Sequence, residues 1–339
     1  MIRIGIDAMG GDFAPEVAIE GAVMSLKLLN KESRIVLYGD ETRIRELIKK
    51  HGANESDFDI VATTQVIEMG DHPAKAFIAK RDSSMTRGFN DLAEGKIDGF
   101  ASAGSTGAMM VGSMQVIKPI EGVIRPVLAT LIPTISPEKG IQRAVLMDVG
   151  LNVDAKPEVL AQYGLLGSIY AKSALQMENP RVALLNIGAE SEKGNELAKN
   201  TYPLLQETKS INFVGNMEGR EVLDGNVDVV VCDGFDGNIL LKSTEGACLN
   251  MLKLVKRAFM ANLVSKMGAL LLKKEVMKLK GLMDYNNYGG AVLLGANKTI
   301  VKGHGSSKAE AVYQCIKQAF NMENNNLCEA IRQAIAEQN

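Results

Sequence analysis

Residues 97–108 read Ile97-Asp-Gly-Phe-Ala-Ser102-Ala-Gly104-Ser105-Thr106-Gly-Ala108. A short apolar run passes into a turn of small residues and then straight into a helical pattern carried by Met109, Met110, Met114 and Ile117. Strand, tight turn and helix in immediate succession form the building unit of an α/β sheet. Small side chains let backbone N–H groups approach a ligand. Ser102, Ser105 and Thr106 add hydroxyl donors, and the first turn of the helix adds partial positive charge, so the segment has the local chemistry of a phosphate cradle. The same residues also suit a corner that only has to pack closely, and the segment by itself leaves both readings open.

The alternation continues along the chain. Strand-like runs fall at Arg3–Ile6, Ile35–Tyr38, Asp59–Ala62, Gly99–Ser102, Val127–Leu131, Ala144–Met147, Val182–Asn186, Asn212–Val214, Val227–Cys232 and Ala291–Leu294. Helical patterns between them begin near Pro15, Glu41, Pro73, Ser83, Thr106, Pro157, Glu192, Gly237 and Ser306. Runs such as Val227-Asp-Val-Val-Val-Cys232, read as buried on both faces, predict a mostly parallel sheet covered by helices on each side, an α/β, three-layer, doubly wound fold. With no internal repeat, low-complexity block or long linker, residues 1–339 read as a single α/β domain.

Composition narrows the function classes. A net charge of −2 gives no basic field for nucleic acid, and 5% aromatics without tryptophan offer no base-stacking platform, so no nucleic-acid partner is expected. Cys232, Cys248, Cys315 and Cys328 lack metal-site or disulfide-framework spacing, which fits a reducing, cytoplasmic setting. The start, Met1-Ile-Arg-Ile-Gly-Ile-Asp7, is too short for a signal-peptide core, and the longest charge-free stretch, Gly99–Ile117, is too rich in Gly, Ser and Thr to span a membrane well.

In parallel α/β sheets ligands sit beyond the carboxyl ends of the strands. Seven further polar or glycine-rich corners fall there: Asp7-Ala-Met-Gly-Gly-Asp12, Asp148-Val-Gly-Leu-Asn152-Val-Asp154, Asn186-Ile-Gly188, Gly215-Asn-Met-Glu-Gly-Arg220, Asp233-Gly-Phe-Asp-Gly-Asn238, Tyr288-Gly-Gly290 and His304-Gly-Ser306-Ser307. Together they predict one crevice lined from many loops. Asp7 and Asp12 either orient a lysine or ligand hydroxyl, or build a tight turn with Asp12 near a helix cap. Asp148 and Asn152 suit an orienting role better than a metal, because no hard-ligand cluster is complete within one loop. Lys242, one turn into the helix after Asp233, offers a point charge to a phosphate. His304, in a Gly/Ser corner, offers a donor to a phosphate or carbonyl oxygen. His72 is a weaker version, and His51 reads as a solvated helix end. Cys232 reads as a buried strand residue rather than a nucleophile. No Gly-x-Gly-x-x-Gly follows the first strand, which disfavours a dinucleotide enzyme.

Residues 247–283 stand apart, with eight lysines and arginines against the single acid Glu275. Leu249, Leu252, Val255, Phe259 and Leu263 keep helical spacing, and Leu270, Leu271, Leu272, Met277 and Leu282 form a second apolar set. This predicts a protruding basic amphipathic helical hairpin with a bend at Gly268. Such a hairpin suits an anionic membrane surface, touched by Leu252, Phe259, Met267 and Leu271. It equally suits an acidic protein partner, or a helix pair at a dimer interface with a solvated basic face.

Taken together, these corners, with Lys193-Gly-Asn-Glu196, closely resemble those of the bacterial fatty acyl-ACP:phosphate acyltransferases, the PlsX family of phospholipid synthesis. They occur in that family's order along nearly the whole chain. Ser105 stands where the family usually has Asn, Leu151 replaces a usual Ala and Glu221 a usual Asp. The resemblance implies a fold like the isocitrate/isopropylmalate dehydrogenases and phosphotransacetylases, a homodimer and a peripheral membrane habit; no cofactor or metal is expected. It also implies transfer of a fatty acyl group from acyl carrier protein to inorganic phosphate, with the acyl phosphate passed to a downstream membrane glycerol-3-phosphate acyltransferase.

For that chemistry a phosphate oxygen attacks a thioester carbonyl, and the departing thiol, with a pKa near ~8.5, needs little acid assistance. The expected phosphate ligands are Ser102, Gly104, Ser105, Thr106 and Ser306, with Lys242 or Lys193 neutralising charge. His304 and Asn186 are the candidates for the carbonyl oxygen, and Asp7, Asp12, Asp148, Asn152 and Asp233 orient these groups. A CoA-dependent phosphate acetyltransferase and a non-catalytic membrane-docking scaffold are the alternatives.

Overall fold

The computed structural model describes residues 1–136, 140–283 and 289–337. Eleven strands form one sheet: β1 (Ile2–Asp7), β2 (Ser33–Gly39), β3 (Phe58–Ala62), β4 (Gly99–Ser102), β5 (Val127–Ser136), β6 (Gly140–Met147), β7 (Arg181–Asn186), β8 (Asn212–Glu218), β9 (Val229–Val231), β10 (Ala291–Leu294) and β11 (Thr299–Lys302). Their order across the sheet is β3-β2-β1-β4-β11-β10-β5-β6-β9-β7-β8. Seven of the ten neighbouring pairs are parallel, so the mostly parallel reading holds. The exceptions are consecutive: β11–β10, β10–β5 and β5–β6 are antiparallel. They divide the sheet into two parallel blocks that run in opposite senses.

Alternation along each strand explains the three layers. Ile35 and Leu37 of β2, with Ile4 and Ile6 of β1, pack beneath α1 (Glu16–Met24), α2 (Glu41–Lys50), α6 (Pro157–Leu175), α10 (Ala309–Asn324) and α11 (Leu327–Ala336). Val36, Tyr38 and Phe100 point the other way, against Phe77 of α3 (Pro73–Ala79), Phe89 of α4 (Ser84–Ala93) and Met109 of α5 (Thr106–Gly112). Both faces of the sheet are thereby removed from water, which is why the central strands carry no polar alternation.

Two features differ from the sequence expectation. The β5–β6 pair continues to Ser136 and Gly140, beyond the expected Leu131 and Ala144, because Pro133 opposes Arg143 in a pairing that persists outside the central core. The bend expected at Gly268 lies instead at residues 260–262, between α8 (Gly234–Phe259) and α9 (Leu263–Met283). Asn262 accepts the Ser265 N–H at 2.9 Å and starts α9, whereas Gly268 is an interior helical residue. A lone glycine costs a helix about 1 kcal/mol without ending it. α8 also begins well before residue 247, so one continuous helix joins a strand-end corner to the protruding hairpin. Tyr288 of the Tyr288-Gly-Gly290 corner and the Leu282 side chain lie outside the described residues.

Candidate active site

The strand-end corners assemble around three loops of the first parallel block. Asp7 ends β1 buried, at 3% exposure. Ser102 Oγ, from the end of β4, donates to Asp7 Oδ2 at 2.6 Å, and the Met9 N–H donates to Oδ1 at 3.1 Å. The Gly104 N–H donates in turn to Ser102 Oγ at 3.0 Å. Gly10 must be glycine, because a Cβ there would lie 2.4 Å from Asp7 Oδ2 and 2.8 Å from the Gly104 nitrogen. Burial raises the Asp7 pKa above the usual carboxylate value, against the lowering effect of these hydrogen bonds. Of the five residues expected to cradle phosphate, Gly104 therefore holds Ser102, and Ser102 holds Asp7. Ser105 caps α5 by accepting the Ala108 N–H at 3.4 Å, and Thr106 stands exposed on the first turn.

The third loop follows β11, which pairs directly with β4. The Gly303 N–H donates to the Ser102 carbonyl at 2.8 Å, and the Asp12 N–H donates to the Gly305 carbonyl at 2.8 Å. These two bonds carry His304 between them. Its Nδ1 accepts the Ser306 N–H at 3.2 Å and lies 2.8 Å from Ser306 Oγ. A nitrogen that accepts an N–H is unprotonated, so the neutral ring carries its hydrogen on Nε2. Lys242 Nζ, from α8, lies 3.5 Å from that Nε2. Partial burial lowers the His304 pKa, with Lys242 and Lys302 adding to the shift and Glu245 and Asp12 opposing it. Lys242 Nζ also pairs with Glu245 Oε2 at 3.5 Å, so a lysine and a histidine nitrogen meet at this corner, an arrangement suited to a phosphate or a developing oxyanion.

The second parallel block builds its corners differently. Asp148, fully buried, accepts the N–H groups of Gly150, Leu151 and Asn152 at 3.1, 3.0 and 2.7 Å, and Asn152 Nδ2 at 3.0 Å. Burial raises its pKa while these donors lower it. Asn152 Nδ2 also donates to the Pro126 carbonyl at 2.9 Å. Asp233 caps α8, accepting the Asp236 N–H at 2.8 Å, and its pKa is raised chiefly by partial burial. The first turn of α8 presses on the Asp148 loop so closely that a Cβ on Gly237 would lie 2.0 Å from the Asp148 carbonyl oxygen. Cys232, beside it, is buried and its thiol is held protonated by burial.

Asn186 donates to the Lys193 carbonyl at 3.0 Å and accepts the Ile187 N–H at 2.8 Å, pinning the turn that carries the exposed Lys193. It lines a cavity of about 540 Å³ together with Asp233, Asp236, Ile239, Leu240 and Ser243. At 3.6 residues per turn those α8 positions centre about 110° round the helix from Lys242, and Ile239, three residues before it, lies on the adjoining face. Hydrogen bonds and shared lining sort the corners into two sets, both of which meet α8. His304, Ser306, Lys242, Asp7, Asp12, Ser102 and Gly104 belong to the first. Asn186, Lys193 and Asp233 belong to the second, and the Asp148–Asn152 loop packs on the helix start beside it. Among the described residues no group of three or more His, Cys, Asp or Glu side chains could hold a metal ion.

Lys302 is the site residue that the sequence reading missed. It closes β11 at 7% exposure, and its Nζ donates to the Gly303 carbonyl. Burial lowers its pKa to about 8, against the raising influence of Cys315, Asp7 and Asp12. The available signal was a lysine closing the run Thr299-Ile-Val, two residues before His304.

In the hairpin, Leu252 and Phe259 are half-buried and line an apolar groove of about 790 Å³ between α8 and α9. Met267 and Leu271 are exposed, at 68% and 87%, and share one face of α9 with Leu263, Val264 and Leu270. Among the described residues no helix is long and apolar enough to cross a membrane.

Comparison with known proteins agrees with this architecture. The chain is 45% identical over 336 residues to the phosphate acyltransferase of Anoxybacillus flavithermus, covering 99% of each protein. It is 41% identical over 338 residues to the phosphate acyltransferase of Bacillus subtilis, again covering 99% of each. A phosphotransacetylase from Streptococcus pyogenes shares the fold with a TM-score of 0.65 at 16% identity, over 97% of this chain and 94% of that one. A branched-chain phosphotransacylase from Enterococcus faecalis does so with a TM-score of 0.58 at 13% identity, over 95% and 98% of the two chains. The family model described as fatty acid synthesis protein matches residues 2–330. On this match and these identities the chain belongs to that family, the one whose relatives are named phosphate acyltransferase.

Proposed function

We propose that this protein transfers a fatty acyl group from acyl carrier protein to inorganic phosphate, releasing acyl phosphate and the free carrier thiol. The observation that carries the reading is the pair of converging donors, Lys242 Nζ and His304 Nε2, 3.5 Å apart at the mouth of the Asp7–Ser102–His304 corner. A phosphate oxygen attacks the thioester carbon, the carbon–sulfur bond breaks, and the proton shed by phosphate ends on the thiol. Lys242 neutralises phosphate charge, and His304 donates from Nε2 to the carbonyl oxygen as it becomes an oxyanion, a contribution of about 3–4 kcal/mol for one well-placed donor. Positioning both substrates supplies the rest, and no acyl-enzyme is needed. Thr106 and Ser306 complete the phosphate shell. Lys193 and Asn186, of the second set, serve the carrier-bound substrate.

The hairpin extends this reading. Its exposed Leu263, Val264, Met267, Leu270 and Leu271, flanked by Lys266, Lys273 and Lys274, match an anionic membrane surface, so the enzyme works in the cytoplasm at the membrane periphery. There its labile product reaches a membrane glycerol-3-phosphate acyltransferase. The apolar groove between α8 and α9 supports pairing of two copies as a homodimer.

Incubation with long-chain acyl carrier protein and phosphate should give a hydroxylamine-sensitive acyl phosphate. No product would refute the assignment. Turnover of acetyl-CoA but not acyl carrier protein would favour a phosphate acetyltransferase, the activity named for the structural neighbours. Phosphate-dependent release of free thiol excludes a silent scaffold.

A further inference from the structure

We propose that Lys302 is a positioning residue, whose buried ammonium anchors the loop after β11 and fixes the His304 ring and its tautomer opposite Lys242. The inference rests on the role given to His304 above. Lysine is among the side chains least often buried, and here it ends a strand whose other residues, Thr299, Ile300 and Val301, are fully buried. A hydrocarbon would fill that strand position at lower cost, so the ammonium has a local use. Its Nζ donates to the Gly303 carbonyl, while the Gly303 N–H is held by the Ser102 carbonyl at 2.8 Å. Both the N–H and the carbonyl of Gly303, the residue preceding His304, are thereby held. On the far side of His304, the Gly305 carbonyl accepts the Asp12 N–H, and the Ser306 N–H holds Nδ1.

The charge matters as well as the bond. His304 faces Lys242 and Glu245 from α8, Asp12 from the loop after β1, and Lys302 from β11. The two lysines oppose protonation of the ring. Protonation at Nδ1 would set an N–H against the Ser306 N–H, leaving Ser306 Oγ, 2.8 Å away, as the acceptor. Lys302 thus acts through His304 and touches neither substrate.

The chain has three histidines, so long-range ¹⁵N–¹H spectra resolve His304 readily. In the unmodified protein the ring should be neutral at pH 7 with its proton on Nε2, and should titrate below the ordinary histidine range. In Lys302→Met its midpoint should rise by roughly half a pH unit or more, the effect of removing one nearby like charge. Lys302→Arg, which keeps the charge, should leave the midpoint low. At saturating substrates Lys302→Met should lose about 10²-fold in kcat, as displaced catalytic groups do. A ring protonated on Nδ1 or charged at pH 7, or equal midpoints in the Met and Arg variants, would overturn the proposal. If the Met variant does not fold, the ring in the unmodified protein and in Lys302→Arg decides. Failure to form acyl phosphate would instead defeat the reaction assignment and leave the His304 spectra standing.

Discussion

Asp7 and Asp148 look alike in the sequence and are satisfied in opposite ways. Each ends a buried strand, precedes a Gly-containing loop, and is almost wholly removed from water. Asp148 takes all four of its donors from residues two to four positions ahead, so it makes a self-contained plug on which α8 starts. Asp7 takes its shortest hydrogen bond from Ser102, which is 95 residues away, and influences Lys302, a further 200 positions along. One carboxylate stabilises its own loop. The other ties three loops of different strands into one corner, and at that corner His304 and Lys242 meet. A buried acid that joins distant segments is the better pointer to a site than one closed on its neighbours.

The difference can be broken or sharpened by substitution. The largest expected effect is on chemistry at the first corner: His304→Ala should reduce kcat by about 10²–10³-fold, the usual result of removing one oxyanion donor. Retention of kcat in steady-state assays would remove His304 from the mechanism. Next comes Asp148→Ala, which orphans several buried N–H groups and should lower unfolding free energy by about 2–3 kcal/mol in denaturant titrations while kcat per folded molecule stays near normal. Asp7→Ala should cost stability by a similar mechanism and also lower kcat. If both variants lose stability and activity alike, the contrast between the corners fails. The smallest effect is expected at Cys232: its buried, protonated thiol should make Cys232→Ala keep kcat within about twofold and the protein resist alkylating reagents. Carrier-thiol exchange in the absence of phosphate, if seen, would instead indicate an acyl-enzyme.

Much of this was legible in the chain because it depends on local chemistry. Ile97–Ala108 announced strand, turn and helix, and β1, β2, β4, β7, β9 and β10 fall where their apolar runs lie. What was not legible depends on how distant segments meet. Lys302 has no role legible in the sequence until β11 pairs with β4 and brings it near Asp7. Ser102 and Gly104 read as phosphate ligands until their hydrogen bonds to one another appear. Asn186 and His304 read as partners in one crevice, and how their loops meet α8 is not visible before the helix is placed. Gly268 was misjudged for a local reason, since a glycine inside an amphipathic helix and a glycine that ends one look the same without the capping Asn262.

The central claim is that the Lys242–His304 corner receives inorganic phosphate. Its most direct test is the phosphate saturation curve of Lys242→Ala with acyl carrier protein held saturating. The phosphate KM should rise at least about tenfold, the loss of roughly 1.4 kcal/mol or more of charge-assisted binding. An unchanged KM would contradict the claim.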